Sequence, residues 1–358
     1  MNGRFGISPG AVSCWILATL SALAWQGCGD SDDPAMPGPD DRFIRFYDSD
    51  SLSKEVTTHT IADFSLTAYT NSIDGQYRQI MDNVTVTRTG LNSWTYSPLV
   101  EWPGTPVDFF AVSPASIGIV NNPWRYHTVN FSDPDAATDM LVAVNMGVTQ
   151  NSGRVRLNFR HALAQVNVSL RTSRPDVLIE VRRVSIKDVA VVGTFHYPFV
   201  TTTPSGNDGS LFSCWKSYNM SNTDLKLFHA LAATQAVVPT SVPRPVSEEG
   251  KFAIPIEFSP LQMDSYIHGS RLELLVRFVD RATGHTLWPN ADTPQILRGE
   301  VPNCGLACFS LQDATPEARW YPGVDYNYSI DIDSYPTVYE GSRSSSPFSS
   351  VNCRATPM

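Results

Sequence analysis

A period of two is what most constrains this chain. From Arg42 to Ile332, apolar residues recur at alternate positions in short runs closed by Gly, Pro, Asn, Asp or Ser, the pattern of strands with one buried face. Phe64, Leu66 and Ala68 make one run. Val84 and Val86 make the next, and Thr89-Gly90-Leu91-Asn92 turns it back into Trp94 and Tyr96 as a hairpin. Val107, Phe109 and Ala111 face a core with Asp108 on the opposite, solvated side, and Met140 to Val144 is a short strand. Leu272, Leu274, Val276 and Phe278 return through Leu287-Trp288 in a second hairpin, and Tyr326, Tyr328, Ile330 and Ile332 point inward from the last patterned strand. No helix longer than a turn or two is required; Leu225 to Ala236 is the best candidate for one. Strands without intervening amphipathic helices predict antiparallel sheets and an all-β fold.

The stretch Val155 to Leu170 separates two sets of runs. Val155, Leu157 and Phe159 are apolar on odd numbers, whereas Val166, Val168 and Leu170 are apolar on even ones. Side chains on a strand repeat every two residues, so the flip needs an extra residue or a break between His161 and Gln165; the reading favours a β-bulge in a strand that closes a first sandwich. Ser173-Arg174-Pro175-Asp176 then ends the pattern. The expected organisation is a β-sandwich over 42–173, a second over 174–335, and a Ser-rich coil over 336–358.

Ahead of the strands lies an address. Arg4 precedes fifteen almost wholly apolar residues, Ala11 to Trp25, which fit the core of a signal peptide and are short for a membrane span of about 20 residues. Gly27-Cys28 resembles a bacterial lipobox, with Trp25 where Leu is usual. Residues 1–27 are therefore expected to leave as a lipoprotein signal peptide, and Cys28 to carry the lipid that holds the chain to a membrane. Residues 28–41, acidic and then Pro-rich, read as a solvated tether. The run Gly29-Asp30-Ser31-Asp32-Asp33 is similar to the signal that sends lipoproteins to the outer face of the outer membrane. Lys and Arg number 26 against 35 Asp and Glu and are scattered, so no phosphate-binding surface and no nucleic-acid partner is indicated.

Catalytic chemistry finds no purchase. The seven histidines, at 59, 127, 161, 196, 229, 268 and 285, form no H-x3-H or HExxH pattern, and no nucleophile elbow, P-loop or dinucleotide fingerprint occurs. The expectation is a protein with no catalytic residues, no metal and no cofactor. His161, at the parity flip, is expected to be satisfied by backbone groups, and Asp139, Asp331 and Asp333 to be solvated like Asp108. Cys304 and Cys308 suit a loop disulfide or two free thiols better than a metal site, since no second ligand pair accompanies them.

Several segments together resemble one family. Trp102-Pro103 before Val107-Asp108-Phe109-Phe110-Ala111-Val112-Ser113-Pro114, then Asp139-Met140-Leu141-Val142-Ala143, then Phe159 to Val166, and finally Trp320-Tyr321-Pro322-Gly323 with Tyr326 and Tyr328, are similar in order and spacing to the fimbrillin-like proteins of Bacteroidota. The resemblance implies two tandem transthyretin-like antiparallel sandwiches, lipid-anchored display at the cell surface, and, in pilin members, assembly with other subunits or with copies of the same chain. There a protease cuts after an N-terminal arginine, the first strand leaves, and the groove accepts a strand from the next subunit. In this chain Arg45, within Phe43-Ile44-Arg45-Phe46, is the matching cut site, with Arg42 as the second candidate. The Ser-rich sequence from Ser342 to Met358 departs from the closing strand usual in such pilins and reads as a poor donor. A non-polymerising adhesin or glycan-binding lipoprotein is the alternative, taking host or bacterial surface ligands, with Trp124, Trp215 or Trp288 stacking on sugar.

Overall fold

Alternation of apolar residues does produce strands throughout, and the sheets they form divide the molecule by faces rather than by sequence halves. The computed structural model describes residues 42–47, 61–71, 77–90, 93–121, 126–202, 211–216, 224–230, 232, 235–334 and 350–358, all within one compact unit. A six-stranded antiparallel sheet runs in the order Ser93–Thr95, Tyr77–Gly90, Asp63–Asn71, Val107–Ser113, Leu141–Val148, Arg160–His161. Its first hairpin pairs Thr87 with Thr95 and Arg88 with Trp94, as the turn at 89–92 predicts. One face of this sheet buries Phe64, Leu66, Met81, Val86, Val107, Phe109 and Ala111 in a small core shared with Ile44, Phe46, Val155, Leu157 and Phe159. The other face sends Tyr69, Phe110, Val112, Val142 and Val144 into a larger core. Burial on both faces is why Phe109-Phe110-Ala111-Val112 is a continuous apolar run.

A three-stranded sheet of Trp215–Lys216, Val192–His196 and Thr128–Ser132 adds Val129, Phe131, Phe195 and Trp215 to the larger core. Two five-stranded sheets complete it. In one, Val177–Lys187 lies between Asp224–His229 and Arg271–Asp280, and the last of these also pairs with Thr286–Trp288 and Gly305–Ser310. The hairpin into Leu287-Trp288 forms as expected, and Val177–Lys187 carries a bulge between Val181 and Arg183. In the other, Ala164–Arg171 pairs parallel with Val324–Asp331 and antiparallel with Arg244–Pro245 and Lys251–Ala253. Inward residues of both sheets, among them Val166, Val168, Leu170, Ile179, Leu274, Tyr328 and Ile330, share the larger core.

The seam from Val155 to Leu170 is a break rather than the expected bulge. Val155–Arg156 pairs parallel with the first strand, Phe46–Tyr47, Arg160–His161 with Leu141–Val148, and Ala164–Arg171 with Val324–Asp331, so the chain changes sheet twice in sixteen residues. The parity flip records a transfer from one core to the other: Val155, Leu157 and Phe159 serve the small core, and Ala162 to Ala164, Val166, Val168 and Leu170 serve the large one. Consequently Ala164–Arg171 does not close the first sheet. The helical candidate at 225–236 is also corrected, since Asp224–His229 is a strand with Leu225 and Leu227 inward. Among the described residues, helix is limited to short 3-10 turns and the four-residue Leu311–Ala314, and no helix is long and apolar enough to cross a membrane.

Candidate functional site

The N-terminal segment 42–47, which ends in the two-residue strand Phe46–Tyr47, is held between two neighbours far apart in sequence. On one side it runs antiparallel to Val100–Trp102: the Ile44 amide donates to the Val100 carbonyl and the Trp102 amide to the Arg42 carbonyl, both at 2.9 Å. On the other it runs parallel to Val155–Arg156, whose Val155 amide donates to the Arg45 carbonyl at 2.7 Å. The Tyr96 hydroxyl fastens the first of these joints, donating to the Ile44 carbonyl (2.8 Å) and accepting from the Val100 amide (3.3 Å). Burial raises the pKa of that phenol above its ordinary value, which keeps it a donor.

Side chains hold this strand more than its ladder does. Ile44 is fully buried and Phe46 nearly so, and the Phe46 ring meets Phe64 (6.0 Å), Tyr96 (5.7 Å) and Phe109 (6.0 Å) edge-on. Burying a side chain of either kind is worth about 1.5–3 kcal/mol, against about 1 kcal/mol for each backbone hydrogen bond. The outward positions differ between the two arginines. Arg42 is exposed, its guanidinium 4.7 Å from the Phe43 ring centroid and 4.0 Å from Glu101. Arg45 is half-buried, with its own carbonyl engaged by Val155.

At the other end, Ser350–Pro357 is a strand paired antiparallel with Val324–Asp331 along its whole length, which corrects the expectation of a Ser-rich coil there. It forms because Val324–Asp331 offers an otherwise unpaired edge, a feature no local sequence window contains. Val351 and Cys353 pack half-buried against the larger core while Asn352, Arg354 and Ala355 face outward. Beneath it the Tyr328 hydroxyl accepts from the Trp320 indole N–H at 2.9 Å and pairs with the Thr315 hydroxyl at 2.6 Å. Burial pushes the Cys353 thiol up to about 11.

Several other polar groups lie where the sequence did not place them. His161 pairs with the Asp139 carboxylate, Nδ1 to Oδ2 at 2.6 Å, with both side chains buried and with His161 Nε2 and Asp139 Oδ1 left without a hydrogen-bond partner, so neither the backbone partner nor the solvated Asp139 is found. Asp331 is paired with Arg171, and Asp333 accepts from the Thr172 hydroxyl and the Ser173 amide. Asp108, half-buried, accepts from the Gly147 amide at 2.8 Å. His127 is buried against Tyr69 (4.5 Å) and Phe110 (4.4 Å) with no hydrogen-bond partner for either ring nitrogen, and burial pushes its pKa down to about 4. Cys214, Cys304, Cys308 and Cys353 are free thiols, and burial raises the pKa of Cys308 far above its ordinary value. Among the described residues no group of three or more His, Cys, Asp and Glu side chains is placed to hold a metal ion.

Two of the three aromatics suggested for sugar stacking, Trp215 and Trp288, are not available for it. Trp215 is buried and donates from its indole N–H to the Ala162 carbonyl, and Trp288 is buried against Phe278 and Gly305. Trp124, like Cys28 and the segments 1–27 and 28–41, lies outside the described residues. Tyr126 and Phe199 are exposed but meet edge-on at 6.0 Å and 79°, which leaves no flat platform between them.

Comparison with known proteins bears on this geometry. Among solved structures, a fimbrial protein from Bacteroides vulgatus superposes with a TM-score of 0.53 at 13% identity, covering 88% of this chain and 98% of its own, and so shares the fold. A fimbrilin from Porphyromonas gingivalis aligns over 84% of this chain and 91% of its own at 11% identity and a TM-score of 0.40. The tip fimbrial protein from the same organism, with a C-terminal truncation, aligns over 88% and 97% at 11% identity and a TM-score of 0.36. No curated protein matches. The model of the fimbrillin-like family matches residues 54–254, more than half of the sequence, and the chain belongs to that family.

Proposed function

We propose that the protein is a surface-displayed fimbrial subunit, structural or adhesive and without catalysis, whose first strand is a removable plug. The observation that carries this reading is the mismatch in how Arg42–Tyr47 is held: a two-residue ladder and one bridge, but two deeply buried anchors. A segment held mainly by side chains in a groove leaves, once gone, both an apolar slot and unpaired backbone on each wall, which is what β-strand addition requires. The two arginines have different consequences. A cut after Arg42 frees the tether and leaves Ile44 and Phe46 attached to the body. A cut after Arg45 removes Ile44 and leaves Phe46 at a new, loose N-terminus. Arg45 is therefore the processing site in this reading, and cleavage waits for the strand to lift, because the Arg45 carbonyl is engaged.

Cys28 supplies the anchor, holding the chain to the outer membrane by lipid at the cell surface, and the partners are other pilus subunits or copies of the chain. The tandem transthyretin-like division, over 42–173 and 174–335, belongs to the same reading. Two measurements test the reading. Cells fed a palmitate analogue should label the wild type and not Cys28→Ala; equal labelling of both removes the anchor. Sheared surface material should carry chains beginning at Phe46; intact first strands on all surface protein would remove the plug.

A further inference from the structure

A cluster of ion pairs lies on the sheet built around Val177–Lys187, on the face turned away from the larger core. Register sets Lys187 directly opposite Asp224 on one neighbouring strand and Arg271 on the other, and sets Ser185, on the same face, opposite Glu273. The Lys187 ammonium donates to the Asp224 carboxylate, and Glu273 Oε1 lies 3.9 Å from the same Nζ. Glu273 is itself held in place, accepting from Arg183 Nη2 at 2.8 Å and from Arg271 Nε at 3.3 Å. Water has little access: side-chain exposure is 15% for Lys187, 33% for Asp224 and 5% for Glu273, and the Ser185 hydroxyl is buried with no hydrogen-bond partner. The chain has five lysines, and among the described residues Lys187 is the only one in an ion pair. The cation opposite Asp224 is therefore of the one kind that becomes a nucleophile on losing a proton, which the neighbouring guanidiniums do not.

We propose that Lys187 and Asp224 join as an intramolecular amide, Nζ to Cγ, which ties Asp224–His229 covalently to Val177–Lys187, with Glu273 as the proton carrier. An ammonium and a carboxylate differ from an amide by one water, so the step needs no oxidant, cofactor or activating group. Glu273 takes a proton from the ammonium, after a small side-chain rotation or through one water, and hands it to an Asp224 oxygen. The freed amine attacks Cγ, the Nζ–Cγ bond forms, and that oxygen leaves as water with a second proton from the nitrogen. Strand register supplies the proximity, holding together two groups 37 residues apart in sequence, and the sheltered site disfavours the reverse hydrolysis. The ladder between these two strands shifts register between Val184 and Ser185, and the amide closes it beyond that irregularity. This inference does not depend on the strand-exchange reading.

The test is the intact mass of the full chain, compared between wild type and variants made and processed alike. Wild type should weigh one water less than its sequence, and digestion should release one branched peptide joined through residues 187 and 224. Lys187→Arg, which keeps the charge, and Asp224→Ala should each carry the full sequence mass. Glu273→Gln should hold the unlinked form at least about tenfold more abundantly than wild type in freshly folded protein. Wild type at its full mass overturns the proposal and leaves an ordinary ion pair; this measurement decides the amide alone, whether or not every variant folds. A lost water that persists in Lys187→Arg, or a branch at other residues, overturns it too. Linkage in Glu273→Gln as complete as in wild type overturns the role of Glu273.

Discussion

The first strand and the terminal strand are held by opposite means. Arg42–Tyr47 makes little ladder and buries two large side chains in a core of its own; Ser350–Pro357 makes a full ladder and half-buries two small ones on the rim of another. Ladder hydrogen bonds are nearly indifferent to sequence, so the terminal strand is a generic edge cover. Side-chain sites are not indifferent, so the groove of the first strand is selective.

That contrast can be broken most directly by truncating the anchors. Phe46→Ala should cost about 3–5 kcal/mol in denaturant unfolding of the uncut chain, and Val351→Ala about 1 kcal/mol, since a half-buried valine loses less area and leaves no closed cavity. Equal costs would mean that the two strands are not held differently.

Acid sharpens the comparison through one buried group of the larger core. His127 packs on Tyr69 and Phe110, members of the larger core on which the terminal strand sits, and no carboxylate among the described residues bonds its ring. Its folded pKa of about 4 lies below the unfolded value of 6.5, so the unfolded chain takes up the proton first as pH falls. Stability is unaffected above pH 6.5 and declines between there and about pH 4, by about 3 kcal/mol in all. Thermal melts at pH 7 and pH 4.5 should show the loss, and His127→Phe should flatten it; an unchanged slope in that variant would place the acid sensitivity elsewhere.

The smallest of these effects concerns the joint at Tyr96. Tyr96→Phe removes the hydroxyl shared by the Ile44 carbonyl and the Val100 amide, a loss of about 1–2 kcal/mol. Arginine-specific proteolysis after Arg45 should then quicken by about five- to thirtyfold, with little change after Arg42, which is already exposed. Equal acceleration at both sites would mean that the hydroxyl stabilises the whole body rather than the plug.

Most of what was legible in the sequence concerned faces. Phe64-Leu66-Ala68, the hairpin into Trp94, the run at Val107, the hairpin into Leu287-Trp288 and the inward row from Tyr326 to Ile332 all sit as their alternation requires. Alternation places Arg45 and Arg42 in the first strand region, but nothing near them in the sequence says that Ile44 and Phe46 are the anchors and Tyr96 the fastener. The terminal strand was hidden for a related reason: Val351 and Cys353 are only two inward positions among serines, too few to register as a period.

Alternation along the chain by itself determined the all-β class and most strand positions, because which side of a strand is apolar is a local property. Partners are not local. That the seam divides among three sheets, that the first strand lies parallel to Val155–Arg156, that His161 meets Asp139, and that Trp215 and Trp288 are buried rather than offered to sugar were decided only in the tertiary structure. The reason is that a strand's neighbour is whichever edge remains free after every other strand has buried its own face, and that choice depends on the whole chain at once.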